Sequence, residues 1–290
     1  MSSEILLGLF LASIRMSLPI LFAASGGYFS EKSGVAQIGL EAYLLIGAFT
    51  AAAVSFQTHS LVLGYVAAAL VAAAFSQIFN ILIFKFKANS IVVGTGMNLL
   101  AMGLIPIVSK TLFESTGSTP AIDTSDAALN QSLIMVSVVT VSMLAICYWI
   151  AEKSSFGLQI KFAGEKSEAL TSVGVSYIKR RWQAVTLGAL ITGVGGAILS
   201  TYLASSYSPL MSAGRGFIAL AAVIFAGWNL RKAWLVVLLF GFAEAIQIQL
   251  QNMNLSVKIP NEFIQMLPYL ATLVALLLLR NKQQAPKEIS

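Results

Sequence analysis

The chain has 290 residues, 57% of them hydrophobic and only 10% charged, and it carries a net charge of +6. A soluble domain holds roughly 25% charged residues, so the composition excludes an ordinary soluble domain and describes an all-α polytopic membrane protein. Cys147 is the single cysteine and His59 the single histidine, which rules out an internal disulfide. No clustered set of zinc ligands occurs, and no Gly-x-x-x-x-Gly-Lys-Ser/Thr phosphate loop is present. We therefore expect no metal, no cofactor and no catalytic residue, and any ATP-driven step would need its ATPase on another chain.

About 20 apolar residues cross a bilayer. That length predicts nine segments, at 5–25, 34–56, 60–84, 91–109, 132–150, 183–205, 214–229, 233–251 and 263–280. Several are short, broken by Gly or interrupted by a charge, so the count lies between eight and ten and some helices are expected to be broken or re-entrant. The first residues carry Glu4 and no Lys or Arg, and Arg15 interrupts the first apolar segment, which does not match a signal peptide; the segment reads as a retained membrane segment.

Lys and Arg in short loops orient such a chain. If the loop 151–182 is cytoplasmic, fourteen of the eighteen Lys and Arg residues lie inside, with Lys110 and Lys258 in outer loops. The opposite orientation reverses the bias. The positive charge is thus a topology signal, and nucleic acid need not be invoked. The N-terminus comes out extracytoplasmic and the C-terminus cytoplasmic. The longest outer loop, 110–131, reads either as polar surface or as part of a docking surface for an external binding protein.

Residues 33–47 and 213–227 align at one offset, matching Gly34 with Gly214, Ile38 with Ile218, Leu40 with Leu220 and Gly47 with Gly227. The first runs outward and the second inward in this topology. That is the arrangement of an inverted repeat, whose interface often holds substrate near broken helices, although so apolar a composition also produces such matches by chance.

Charges at membrane depth are costly and mark function by default. Glu41, Arg215 and Glu244 fall inside segments, and Asn98 interrupts the fourth. Glu244, Gln247 and Gln251 recur at spacings of three and four, one polar stripe on a helix. These six form a candidate translocation pathway for a small polar solute. Pairing between helices, for example of Glu41 or Glu244 with Arg15 or Arg215, is the alternative for each.

The loop 151–182 is the charged exception in the chain, with six Lys or Arg and three Glu between Glu152 and Arg181. A short helix is predicted inside it. Gly164 would precede its first turn, Glu165 and Glu168 would favour the positive end of the dipole, and Gly174 would close it in a left-handed conformation. Ala169, Leu170 and Val173 share one face. A solvated connector and a docking helix both fit this pattern.

The order Lys161, Gly164, Glu165, Ala169, Gly174, Val175 resembles the cytoplasmic coupling segment of permease subunits in bacterial ABC importers. Three further stretches resemble signatures of the nucleoside-type permeases in that family. They are Glu-Lys-Ser-Gly-Val-Ala-Gln-Ile-Gly-Leu-Glu (31–41), Gly-Arg-Gly-Phe-Ile-Ala-Leu-Ala-Ala-Val-Ile-Phe-Ala-Gly-Trp-Asn (214–229) and Leu-Phe-Gly-Phe-Ala-Glu-Ala-Ile-Gln-Ile-Gln-Leu-Gln (239–251). Gln37 stands where Asn is usual, and Lys32 where Arg is.

The resemblance implies one permease domain over 1–290 in a bacterial cytoplasmic membrane, paired with a second permease subunit. It also implies an ABC ATPase subunit and an extracytoplasmic substrate-binding protein or lipoprotein. Lys161, Gly164, Glu165, Glu168, Ala169, Leu170, Val173 and Gly174 would form the ATPase-coupling segment. The implied solute is a nucleoside, with simple sugars next and a flavin-like vitamin after them. A self-sufficient secondary transporter or channel remains the competing reading, on the strength of Glu41 and Glu244 as proton relays.

Overall fold

The computed structural model describes residues 3–115, 117–122, 126–252, 266, 270 and 285–289. Among these every regular element is helical: α1 (Ser3–Lys32), α2 (Leu40–Thr58), α3 (Leu61–Phe84), α4 (Ser90–Phe113), α5 (Asp126–Lys153), α6 (Ser155–Glu165), α7 (Ser167–Ser172), α8 (Tyr177–Ile198), α9 (Arg215–Phe225) and α10 (Leu230–Asn252). A π-helical turn, Leu199–Leu203, extends α8.

Seven of the nine predicted segments are helices long and apolar enough to cross a membrane. The segment predicted at 214–229 contains only the 11-residue α9, which rises about 16 Å and cannot span a bilayer. Its Gly214 and Gly227 both take left-handed backbone and cut the apolar run at each end. The segment at 263–280 lies outside the described residues, apart from Met266 and Leu270. The segment predicted at 34–56 starts late: residues 35–39 are not helical, and α2 begins at Leu40.

At the centre, α8 packs on α1, α2 and α3. Lipid supplies no hydrophobic drive between helices, so close packing of small residues has to hold them. Added to Gly26, a Cβ would lie 2.3 Å from the Gly188 carbonyl; on Gly47 it would lie 2.3 Å from that of Gly193. These backbones touch directly. Around this seam two apolar cores form. One, with Phe22, Phe29 and Phe240, joins α1, α8, α9 and α10. The other, with Tyr43, Phe79 and Ile105, joins α2, α3 and α4.

Residue pairs set the helix directions. Gly26 faces Gly188 while Phe22 faces Gly195, so α1 and α8 are antiparallel. Tyr65 bonds Thr201 and Asn80 bonds Thr186, so α3 is also antiparallel to α8. Tyr43 stacks edge-on against Phe75 while Gly64 meets Ala51 and Ser55, so α2 is antiparallel to α3 and runs with α8. After each of α1 and α8 the chain loses its helix and then starts a new one, α2 or α9. This pairs α1, break and α2 with α8, break and α9, in the order of the predicted repeat. Gly34 and Gly214 both adopt left-handed φ, +88° and +80°. The match ends there, because Gly47 sits inside α2 whereas Gly227 turns the chain after α9.

Candidate functional site

The loop 151–182 folds as two helices with a kink. Ser154 caps α6 by accepting from the Gly157 amide at 2.9 Å. Gly164 does not break this helix: it lies in its last turn, and the break comes at Lys166, where φ is −161° and ψ 77°. Glu165 therefore ends α6 at the negative pole of its dipole instead of opening a helix at the positive pole. Its compensation is an ion pair with Lys32 at 2.7 Å. Glu168 alone occupies the first turn of α7. Gly174, at φ +76°, closes α7 as predicted, and the Val175 amide returns to the Leu170 carbonyl at 2.9 Å. Lys161 pairs with Glu152 at 3.4 Å.

The predicted common face of α7 is split. Leu170 is 4% exposed, packed inside this chain, while Val173 is 71% exposed and Ala169 is half-buried. The short α7 ends before Val173, so helical spacing does not carry it round to the buried side.

Gly164 has a steric reason. A Cβ there would lie 2.3 Å from the Lys32 carbonyl and 2.9 Å from the Gly34 nitrogen. The end of α6 thus presses its backbone on the turn between α1 and α2. Arg181, on the first turns of α8, donates to the Ala163 carbonyl at 2.8 Å and to Glu288 at 2.9 Å. Glu288 also accepts from the Ser167 amide at 2.7 Å. Burial alone would raise the Glu288 carboxyl; hydrogen bonds from Ser167 and the Arg181 charge outweigh it and hold the group below the usual carboxylate range.

From that turn the chain enters the bundle as the non-helical stretch 35–39. Glu31 fixes it at one end, accepting from the Gln37 amide at 2.8 Å and from the Trp228 indole at 3.1 Å. Asn98, about two turns into α4, fixes the other. Its Oδ1 accepts from the Ala42 amide at 2.9 Å and its Nδ2 donates to the Ile38 carbonyl at 3.1 Å. Asn98 thereby supplies the missing cap of α2.

Glu41 does the same for α9. One carboxylate oxygen accepts from the Ser212 hydroxyl at 2.6 Å and the Gly214 amide at 2.9 Å; the other accepts from the Gly216 amide at 2.7 Å. The first amides of a helix lack partners, and a carboxylate also suits its positive end. A Cβ on Gly216 would lie 2.4 Å from the Glu41 nitrogen, so the starts of α2 and α9 meet head to head. From there the two helices diverge. α9 leads back to Trp228 beside Glu31, and α2 leads to the opposite side of the bundle.

Arg215 pairs with Glu244 across α9 and α10 and donates to the Met211 carbonyl at 3.1 Å. The second Glu244 oxygen and the Arg215 Nε are buried with no partner among the described residues. On the same helix Gln247 is half-buried and Gln251 exposed. Arg15 bonds the Tyr202 carbonyl and lies over its ring, at 4.9 Å.

The six pathway candidates therefore divide: Glu41 and Asn98 cap broken helices, Arg215 and Glu244 form the interhelical pair, and Gln247 and Gln251 extend from it. Composition and spacing did not single out Arg181 or Glu288 as partners. Glu31 was visible only as the first residue of its signature.

Residues 9–278 match the family model described as branched-chain amino acid transport system / permease component. The chain is 30% identical to the nucleoside ABC transporter permease protein NupC of Lactococcus lactis subsp. cremoris, over 93% of this chain and 92% of that protein. It is 31% identical to the guanosine ABC transporter permease protein NupQ of Bacillus subtilis, over 95% and 93%. It is also 29% identical to the putative glucose ABC transporter permease protein TsgC13 of Haloferax volcanii, over 86% and 79%. No solved structure matches. With a family model covering nearly the whole chain and relatives aligned end to end, the chain belongs to the permease-component family of branched-chain amino acid transport systems, as a multi-pass membrane transport subunit and not an enzyme.

Proposed function

We propose that this chain is the permease subunit of an ATP-driven ABC importer for nucleosides, working in a bacterial cytoplasmic membrane with its C-terminus inside. The relatives' names support the solute class, with simple sugars the next choice. The whole chain would act as one permease domain. An ABC ATPase subunit docks on the loop 151–182, a second permease subunit completes the pathway, and an extracytoplasmic binding protein or lipoprotein delivers the solute.

The observation that carries the reading is a line of contacts from the end of α6 to α9. Gly164 and Glu165 press on Lys32 and Gly34. Glu31 anchors the following stretch and also holds Trp228, at the end of α9. Glu41 then holds the start of α9. A displacement of the loop by the ATPase would reach both ends of the half-helix whose Arg215 pairs with Glu244 of α10. Opening there would expose to solute hydroxyls an ion pair and a carboxylate oxygen that has no partner among the described residues. The two access states must differ in their docking contacts, since ATP can bias them only through differential affinity.

The competing secondary transporter loses ground because both carboxylates it relies on are engaged, Glu41 by three donors and Glu244 by Arg215.

The test is ATP-dependent nucleoside uptake in liposomes holding the full complex. Val173→Asp removes an exposed apolar contact without touching the fold. A Val buried in a partner groove contributes about 1.5–3 kcal/mol, so uptake should fall at least about tenfold while insertion and thermal midpoint stay unchanged. Wild-type uptake by this variant would make the loop a mere connector. Gradient-driven uptake by the permease without any ATPase would overturn the importer reading itself.

A further inference from the structure

The last described residues, 285–289, lie against the loop 151–182. The Glu288 amide donates to the Gly164 carbonyl at 3.0 Å, and the Ile289 amide closes a turn on the Pro286 carbonyl at 3.2 Å. Pro286 is buried. One oxygen of the Glu288 carboxylate accepts from the Ser167 amide and the other from Arg181. The segment fills a corner between the α1–α2 turn, α6, α7 and α8. Gly34 leaves it room, since a Cβ there would meet the Glu288 carbonyl at 3.0 Å and Arg181 at 3.1 Å.

This corner is where the loop is weakest. α7 has only 6 residues and no side-chain cap from its own flanking residues. A helix that short does not hold itself together in water. It follows directly on the Lys166 kink, at which α6 and α7 could bend against each other. Glu288 supplies the acceptor that α7 lacks, from 121 residues away. The same side chain ties that acceptor to Arg181 of α8, and its backbone ties it to the end of α6.

We propose that Glu288 is a positioning residue for energy coupling: the C-terminal segment straps α7 to α6 and α8, so that a push on α7 moves the Gly34 turn instead of flexing the Lys166 kink. This rests on the proposed coupling role of the loop. The strap itself is a property of the permease alone.

The test uses E288A, which removes both side-chain bonds, and E288Q, which keeps an acceptor for Ser167 but loses the charge on Arg181. In the isolated permease, amide exchange at Ser167 should accelerate about tenfold in E288A, the loss of a charge-assisted hydrogen bond, and less in E288Q. In liposomes holding permease, ATPase and binding protein, ATP hydrolysed per solute imported should rise about two- to thirtyfold in E288A, the range for residues along a coupling network, with E288Q between it and wild type. A merely structural role would lower the amount of inserted protein and leave that ratio unchanged. An unchanged ratio, or unchanged exchange at Ser167, overturns the proposal. If E288A inserts poorly, the same two readings in E288Q decide. If Val173→Asp uncouples transport and the Glu288 variants do not, this inference alone fails. If Val173→Asp has no effect, the coupling reading fails, and the exchange measurement still reports on the strap.

Discussion

Two glutamates, Glu41 and Glu165, each begin a connection between distant parts of the chain, and they do so by opposite means. Glu41 is 3% exposed and saturates its carboxylate with a hydroxyl and two amides of the α9 start. The Glu165 side chain is 54% exposed and makes one ion pair, with Lys32. In the bundle interior the charge itself holds the joint, because the carboxylate satisfies the amides of the helix end. At the loop surface, shape holds it: the backbones of Gly164 and Lys32 are already in contact, and the ion pair adds only a screened attraction. A membrane transporter thus uses a buried charge where parts must stay in register, and close backbone packing where a joint has to bear load beside water.

The strongest way to break this contrast is Glu41→Ala. Two amides and one hydroxyl would be left buried without an acceptor, and a hydrogen bond to a charged group contributes about 1.5–3 kcal/mol. We expect a loss of at least about 3 kcal/mol, read as a collapse in folded yield and in the thermal midpoint in detergent. A stable, well-expressed variant would show that α9 does not depend on Glu41.

Gly164→Val comes next. Its Cβ would have to displace the Lys32 carbonyl, and overpacking of this kind costs about 1–3 kcal/mol. Because the strain falls at the joint, uptake should drop more than stability does, and the ratio of the two losses is the quantity to measure. Proportional losses would make Gly164 an ordinary packing glycine.

Glu165→Gln is the smallest change and sharpens the contrast most. An exposed pair contributes about 0–1 kcal/mol, so uptake should fall less than about fivefold at physiological salt, with the difference from wild type shrinking as salt rises. An effect as large as that of Gly164→Val would mean that charge, and not shape, carries the surface joint.

Much of this was legible in the sequence, and the exceptions share a cause. Membrane helices declare themselves by length and hydropathy, and Gly174 announced its own left-handed turn. Gly164 misled because a glycine just ahead of two glutamates reads as the residue before a helix start, whereas it lies in the last turn of α6 and lets the α1–α2 turn approach. Leu170 and Val173 looked equivalent on a helical wheel, but α7 is too short to keep them in phase. Glu41 and Asn98 stood out as polar residues at depth, yet their partners lie far away along the chain, so capping could not be told from solute contact. Arg181 and Glu288 carried no signal, because one belongs to a basic cluster that reads as topology and the other to a polar tail.

The bond between Glu41 and Gly216 also spans time. These residues are 175 positions apart, and ribosomes add about 5–20 residues per second, so roughly 10–35 s pass between their syntheses. During that interval α2 is made and Glu41 has none of the partners it will finally hold. A bare carboxylate in hydrocarbon is costly. Until α9 emerges, the start of α2 is therefore less costly near water than at its final, dry position. The residue that joins the two broken helices in the finished bundle is thus, while the chain is being made, a charge still waiting for its partners.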